Sequence, residues 1–283
     1  MTEIAELRRM APAHLGAARD TAHRAIQHLT RAARANLSPA PDDSHSNLEW
    51  IPEHRALVSQ PIASPRGPLR IGLSIVGFEL FVQNAGAHET LGQLDGHSDE
   101  AVAGLLDQRL AEDGLVPSAV IALPYELPPA VAAIDSYDLA PLKESTSVLA
   151  AWYDLAASAL ENIAKANRHI APGPSPVRCW PHHFDIATYL SLEEGDFEAA
   201  RGIGIGMSPG DESYGEPYFY VNPWPHLDPA ALPKAPAPGH WHTDGFVGAI
   251  ATASEITSVA KIQAGLAAFL ESAVSAGRDA LAV

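Results

Sequence analysis

The amino-acid sequence predicts an α+β fold, made of two pseudo-duplicated α-β-β-α halves with mainly antiparallel strands sharing one core. Three observations predict it. Two long stretches, Leu15–Asn36 and Lys143–Ile170, carry apolar residues at helical spacing with few breakers. Behind each come strand-like runs that follow one another without an intervening helix, which favours antiparallel pairing. Third, several blocks recur in the same order in both halves.

The recurrence begins with LTRAARAN from Leu29 and LENIAKAN from Leu160, each followed by a Pro-rich loop, a Trp (Trp50, Trp180), a Pro, a histidine and an apolar run. Next come RIGLSIVGFELFV from Arg70 and RGIGIGMS…YFYV from Arg201, both opening on an Arg and an Ile-Gly pattern and closing on an aromatic and a Val. Last, His97-Ser98-Asp99 matches His242-Thr243-Asp244. The expected organisation is a flexible N-terminus over 1–13, a first repeat over 14–124, a Pro-rich connection over 125–142 and a second repeat over 143–283.

In the first repeat, Leu48 to Ile62 reads as a strand, as does the alternating Leu69 to Val82, bent at Gly77. Ser98 caps a helix running to Glu112, with Asp99 and Glu100 in its first turn, where the helix dipole favours carboxylates. Ala119 to Leu123 is a short strand. In the second repeat, Val177–Leu190, Gly202–Ser208 and Pro217–Asn222 are strands, Thr243 caps a helical start, and Glu255–Ala276 is the last helix.

Net charge is −16, from 34 acidic and 18 basic residues, so phosphate backbones are poor partners. Basic residues gather only on the first helix, at Arg19, Arg24, Arg31 and Arg34, and read as a solvated face. No stretch is apolar and long enough for a membrane span, and MTEIAELRRM lacks a signal-peptide layout. With one cysteine, Cys179, no internal disulfide forms, and the expected location is the cytoplasm.

The polar groups accumulate in the second half. Where the first has PEHRA and SIVGFELFV, the second has PHHFD and SPGDESYGEPYFYV. Along an extended strand, Trp180, His182 and Phe184 point one way and His183 and Asp185 the other. This makes His182 a core or pocket histidine. His183 with Asp185 is then a pair of metal ligands, or a base and its orienter. In GHWHTD, His240 and His242 have the His-x-His spacing that puts two imidazoles on one side of a strand. His-Thr-Asp is equally the pattern of a helix cap. Between these stretches lies a Pro-Gly turn with three carboxylates, Asp211, Glu212 and Glu216, that reads as a solvated hairpin or as a flap over an aromatic pocket.

That pocket would be lined by Trp180, Tyr214, Tyr218, Tyr220 and Trp224, with His182 and Asp211 as polar contacts. No P-loop, HExxH or GxSxG occurs, and Gly202-x-Gly204-x-Gly206 sits within strand alternation rather than before a capped helix. Cys179 reads as a buried inert thiol.

WPHHFDIA followed by SPGDESYGEPYFYV resembles a family of uncharacterised bacterial conserved hypothetical proteins, over roughly residues 175–225. The resemblance implies an α+β fold and no particular activity. From the residues, the sharpest expectation is a metal-assisted hydrolase-like enzyme for a small polar substrate. Its divalent ion, zinc foremost, would sit on His183, His240 and His242, with Asp185, Glu212 and Glu216 as catalytic carboxylates. The rivals are a non-catalytic small-molecule-binding or assembly module with an aromatic pocket, and metal-free acid/base chemistry by His183 and Asp185.

Overall fold

The computed structural model describes residues 3–84, 87–195 and 199–282. Its first elements are α1 (Glu3–Leu7), α2 (Gly16–Asn36), β1 (Leu48–Ile51), β2 (Ala56–Ser59), β3 (Leu69–Ser74), β4 (Glu79–Asn84), β5 (Ala87–Gln93), α3 (Asp99–Glu112) and α4 (Pro129–Ala132). Then follow α5 (Lys143–Asn167), β6 (Gly173–Pro174), β7 (Arg178–Trp180), β8 (Asp185–Ser191), β9 (Gly202–Ser208) and β10 (Tyr218–Trp224). The last are β11 (His240–His242), β12 (Gly248–Thr252), α6 (Ala253–Ser258) and α7 (Ile262–Ala280). Helices and antiparallel strands make the expected α+β class. No helix among the described residues is long and apolar enough to cross a membrane.

The chain forms two compact units. The N-terminal unit is Leu15–Ala150 with Cys179–Phe184, and the C-terminal unit is Met1–His14, Ala151–Arg178 and Asp185–Val283. The division therefore falls inside α5 and not in the Pro-rich stretch, where α4 forms. Of the segment expected to be flexible, Met1 and Thr2 lie outside the described residues. Glu3–Leu7 is helical, Leu7 is buried, and Arg8 donates to the carbonyls of Thr257 and Val259.

In the N-terminal unit the strands run in the order β7-β1-β2-β3-β4-β5, all antiparallel. Helix α2 packs on β2, β3, α3 and α4. Its buried stripe is Ala18, Ala22, Ala25, Ile26, Leu29, Ala32 and Ala33, and the small side chains let backbones approach. Ser98 caps α3 as expected, accepting from the Ala101 amide at 3.1 Å. Asp99, behind that cap, accepts from Arg24 (2.6 Å), His28 (3.0 Å) and Tyr137 (2.8 Å). Burial alone would raise its carboxyl, but these donors hold it far below the usual carboxylate range.

Several expected elements differ, each for a local reason. Leu69–Val82 is a hairpin, reversing at 75–78, where Phe78 takes a φ of 48°. The strand from Leu48 is broken by a 3-10 turn at Pro52–His54. Ala119–Leu123 is irregular, because Asp107 captures the Ser118 amide and hydroxyl and the Ala119 amide. Val177–Leu190 is two strands parted by a turn at 181–184, with Phe184 at φ 60°. The turn is held in the N-terminal unit by α2: His23 Nε2 and Gln27 Nε2 both bond the Pro181 carbonyl, at 2.8 and 2.9 Å, and His23 stacks on Phe184 at 5.2 Å.

In the C-terminal unit the strand order is β11-β12-β10-β9-β8, with β6 beside β8. Helix α7 packs on β9 and β10, with Gly277 against Ile203 and Pro223, and buries Leu266, Phe269, Leu270 and Ala273. The residue that caps α6 is Thr252, not Thr243. It forms a capping box with Glu255, so the expected last helix begins earlier and splits at 259–261.

Candidate functional site

Alternation along β10 sorts YFYV into two jobs. Phe219 and Val221 are fully buried on the face that α7 covers. Tyr218 and Tyr220 lie on the other face. Antiparallel register puts His240, Ile250, Tyr220, Gly206 and Ala187 in one row across that face. Gly206 is needed there: a Cβ would fall within the Tyr220 ring, which crosses β9 to reach Asp185 at the start of β8. Tyr220 Oη donates to Asp185 Oδ2 at 2.5 Å. Gly202 likewise makes room for Tyr189. The Ile-Gly alternation therefore puts apolar side chains on one face and a floor for aromatic rings on the other.

The loop from Ser208 to Pro217 is organised by Asp211. Its Oδ1 accepts from the amides of Ser213 (2.8 Å) and Tyr214 (3.1 Å), and its Oδ2 from Tyr218 Oη (2.5 Å). Glu216 accepts from the amide and hydroxyl of Ser254 at 2.9 and 2.6 Å, which ties the loop to the first turn of α6. Glu212 is exposed and makes no hydrogen bond among the described residues. These anchors set Tyr214 against the edge strand β11.

Tyr214 Oη lies 3.0 Å from His240 Nε2 and 2.9 Å from His242 Nδ1. Behind them, His240 Nδ1 meets Glu255 Oε1 at 3.1 Å, and His242 Nε2 meets the Asp244 carbonyl at 2.5 Å. Carboxylates and carbonyls only accept, so these partners assign the ring protons: His240 carries its proton on Nδ1 and His242 on Nε2. Both remaining nitrogens then aim lone pairs at one hydroxyl, which has one proton to give. The arrangement is one positive charge short, and a second proton or a cation would complete it. Burial, and then the charges of Glu255 and Asp211, raise the Tyr214 phenol above its usual range. The cluster is open to ligands, since the His240 side chain is 41% exposed.

Rings continue from this point. Tyr214 and Tyr218 are 4.9 Å apart, Tyr218 and Tyr220 6.3 Å, and His242 stacks on Phe246 at 4.3 Å. Of the residues singled out in the sequence, the structure thus brings together Tyr214, Tyr218, Tyr220, Asp211, Asp185, His240 and His242. Trp224 stands at the far end of β10, edge-on to His226. Trp180, His182 and His183 belong to the N-terminal unit. There His182 is half-buried between Trp180 and Tyr125, and His183 is exposed on the turn.

The expected alternation through WPHHFD therefore fails, and α2 supplies core histidines instead, His23 and His28, which sequence reasoning missed. Among the described residues no group of three or more His, Cys, Asp or Glu is arranged to hold a metal ion. Glu255 was also missed, although Thr252-x-x-Glu255 carries the capping-box pattern.

No family model matches the chain, and no curated protein or solved structure compared with it is significantly similar, so its own residues carry the functional argument.

Proposed function

We propose that the protein is a metal-assisted hydrolase acting on a small polar substrate, with a divalent ion, zinc foremost, on His240 Nε2 and His242 Nδ1. One observation carries this reading: both imidazole lone pairs converge on a single point, and the rings are fixed from behind by Glu255 and the Asp244 carbonyl. Carboxylate-backed imidazole is the arrangement in which protein metal ligands are held. A divalent ion there would polarise the substrate and make a bound water acidic enough to attack at neutral pH. We assign the proton-accepting role to Glu212, an exposed carboxylate two residues before Tyr214 that makes no hydrogen bond among the described residues. Tyr218 and Tyr220, held by Asp211 and Asp185, form the wall against which a small substrate would lie. Asp185, Asp211 and Glu216 then position other groups. The reading leaves His183 outside the metal site.

The test is turnover of a panel of small activated esters, amides and phosphate esters by zinc-loaded protein. Hydrolysis that disappears in a His240→Ala/His242→Ala variant of unchanged fold supports the proposal. Zinc-loaded protein inert toward the whole panel argues against it. The contiguous Tyr214–Tyr218–Tyr220 row favours the second reading, a non-catalytic small-molecule-binding face, and binding without turnover would select it.

The two units support a common origin. In one, α2 precedes the meander β1 to β5 and a helix capped by Ser98. In the other, α5 precedes β8, β9, β10 and β12 and a helix capped by Thr252. On this reading Ser98 corresponds to Thr252, not Thr243.

A further inference from the structure

We infer that Tyr214 is the third protein ligand of this site, bound through its phenolate oxygen, a step that rests on the metal reading above. The argument begins with distance. In a tetrahedral zinc site with bonds of about 2.0 Å, neighbouring donor atoms stand about 3.3 Å apart. Tyr214 Oη lies 3.0 Å from His240 Nε2 and 2.9 Å from His242 Nδ1. Each separation is therefore one edge of such a tetrahedron, shortened by a few tenths of an ångström, as expected where hydrogen bonding alone draws the atoms together.

Proton counting gives the second line. With His240 protonated on Nδ1 by its Glu255 bond and His242 on Nε2 by its Asp244 bond, the two facing nitrogens accept, and the phenol can satisfy one of them. The other lone pair meets the oxygen's own. A cation among the three atoms satisfies every lone pair at once. On binding, the phenol O–H bond breaks, an oxygen–metal bond forms, and the proton leaves to solvent. Nothing is oxidised or reduced.

The third line is how the loop is built. Asp211 holds the Tyr214 amide and the Tyr218 hydroxyl, and Glu216 fixes the loop to Ser254, so the phenol is delivered by a segment anchored at both ends. Two His and one Tyr leave the fourth tetrahedral position for water or substrate, as hydrolytic chemistry requires.

Copper(II) and zinc are the probes. Copper(II) titrated into metal-free full-length protein should give a phenolate-to-metal charge-transfer band in the visible, and zinc should release one proton from Tyr214 per ion bound. In Tyr214→Phe the band should vanish and zinc affinity fall by at least roughly ten-fold, the lower end of what losing even an outer-sphere partner costs. Tyr189→Phe, which alters a phenol over Gly202 that takes no part in the cluster, should keep the band. Stoichiometric zinc binding with no phenolate signal, and unchanged affinity in Tyr214→Phe, would overturn the assignment and leave the two-histidine site standing. No binding by the wild-type protein would overturn both.

Discussion

Acidification should weaken this fold through His23. The imidazole is buried on α2, bonded to the Pro181 carbonyl at 2.8 Å and stacked on Phe184. Burial lowers its pKa from 6.5 to about 4, against the opposing pull of the Pro181 bond. Because the folded-state value is depressed, the unfolded chain takes up the proton first as pH falls. The stability His23 contributes is thus fully present above 6.5 and is lost progressively between 6.5 and about 4. At about 1.4 kcal/mol per pKa unit, a shift of this size amounts to about 3 kcal/mol. Chemical denaturation of wild type and His23→Gln at pH 7, 5.5 and 4.5 isolates the effect, because all other groups titrate in both proteins. Glutamine can still donate to Pro181 but cannot titrate, so between pH 7 and 4.5 its stability should fall by about 2.4 kcal/mol less, most of the full shift. Asp99, also depressed, acts at lower pH, below its unfolded value of about 3.9. Parallel pH dependences in the two proteins would refute the reasoning.

Two further substitutions probe the site. Glu255→Gln keeps a side chain able to cap Thr252 but removes the carboxylate behind His240. Calorimetric titration should show zinc affinity reduced roughly 10–100-fold with little change in Tm, and an unaltered affinity would deny Glu255 that role. Gly206→Ala places a methyl where the Tyr220 ring lies, so denaturant titration should find the protein destabilised by about 2 kcal/mol. An unchanged midpoint would mean that the ring is free to move off the strand.

The sequence was most legible where periodicity is long. Helices α2 and α5 and strand β9 begin where the apolar spacing places them, and Tyr218 and Tyr220 share the face that alternation assigns. Legibility failed where a local contact overrides the period. Pro181 and the left-handed Phe184 turn the chain within WPHHFD, and what holds that turn, His23 and Gln27, comes from a helix more than 150 residues earlier. Glu255 shows a subtler failure: its capping-box spacing was visible, but its second bond, to His240, depends on pairing between β11 and β12. The His-x-His pair was readable because its geometry is local to one strand. Tyr214 was readable as a pocket residue, but its meeting with both imidazoles was not, because it arrives from a loop shaped by Asp211.

The most direct measurement is the metal content of untagged protein purified without chelators, by inductively coupled plasma mass spectrometry. The account predicts about one equivalent of a divalent transition metal per chain, absent from the His240→Ala/His242→Ala variant. Protein that carries no metal, takes up none from added zinc, iron or manganese, and shows no thermal shift with any of them would contradict it.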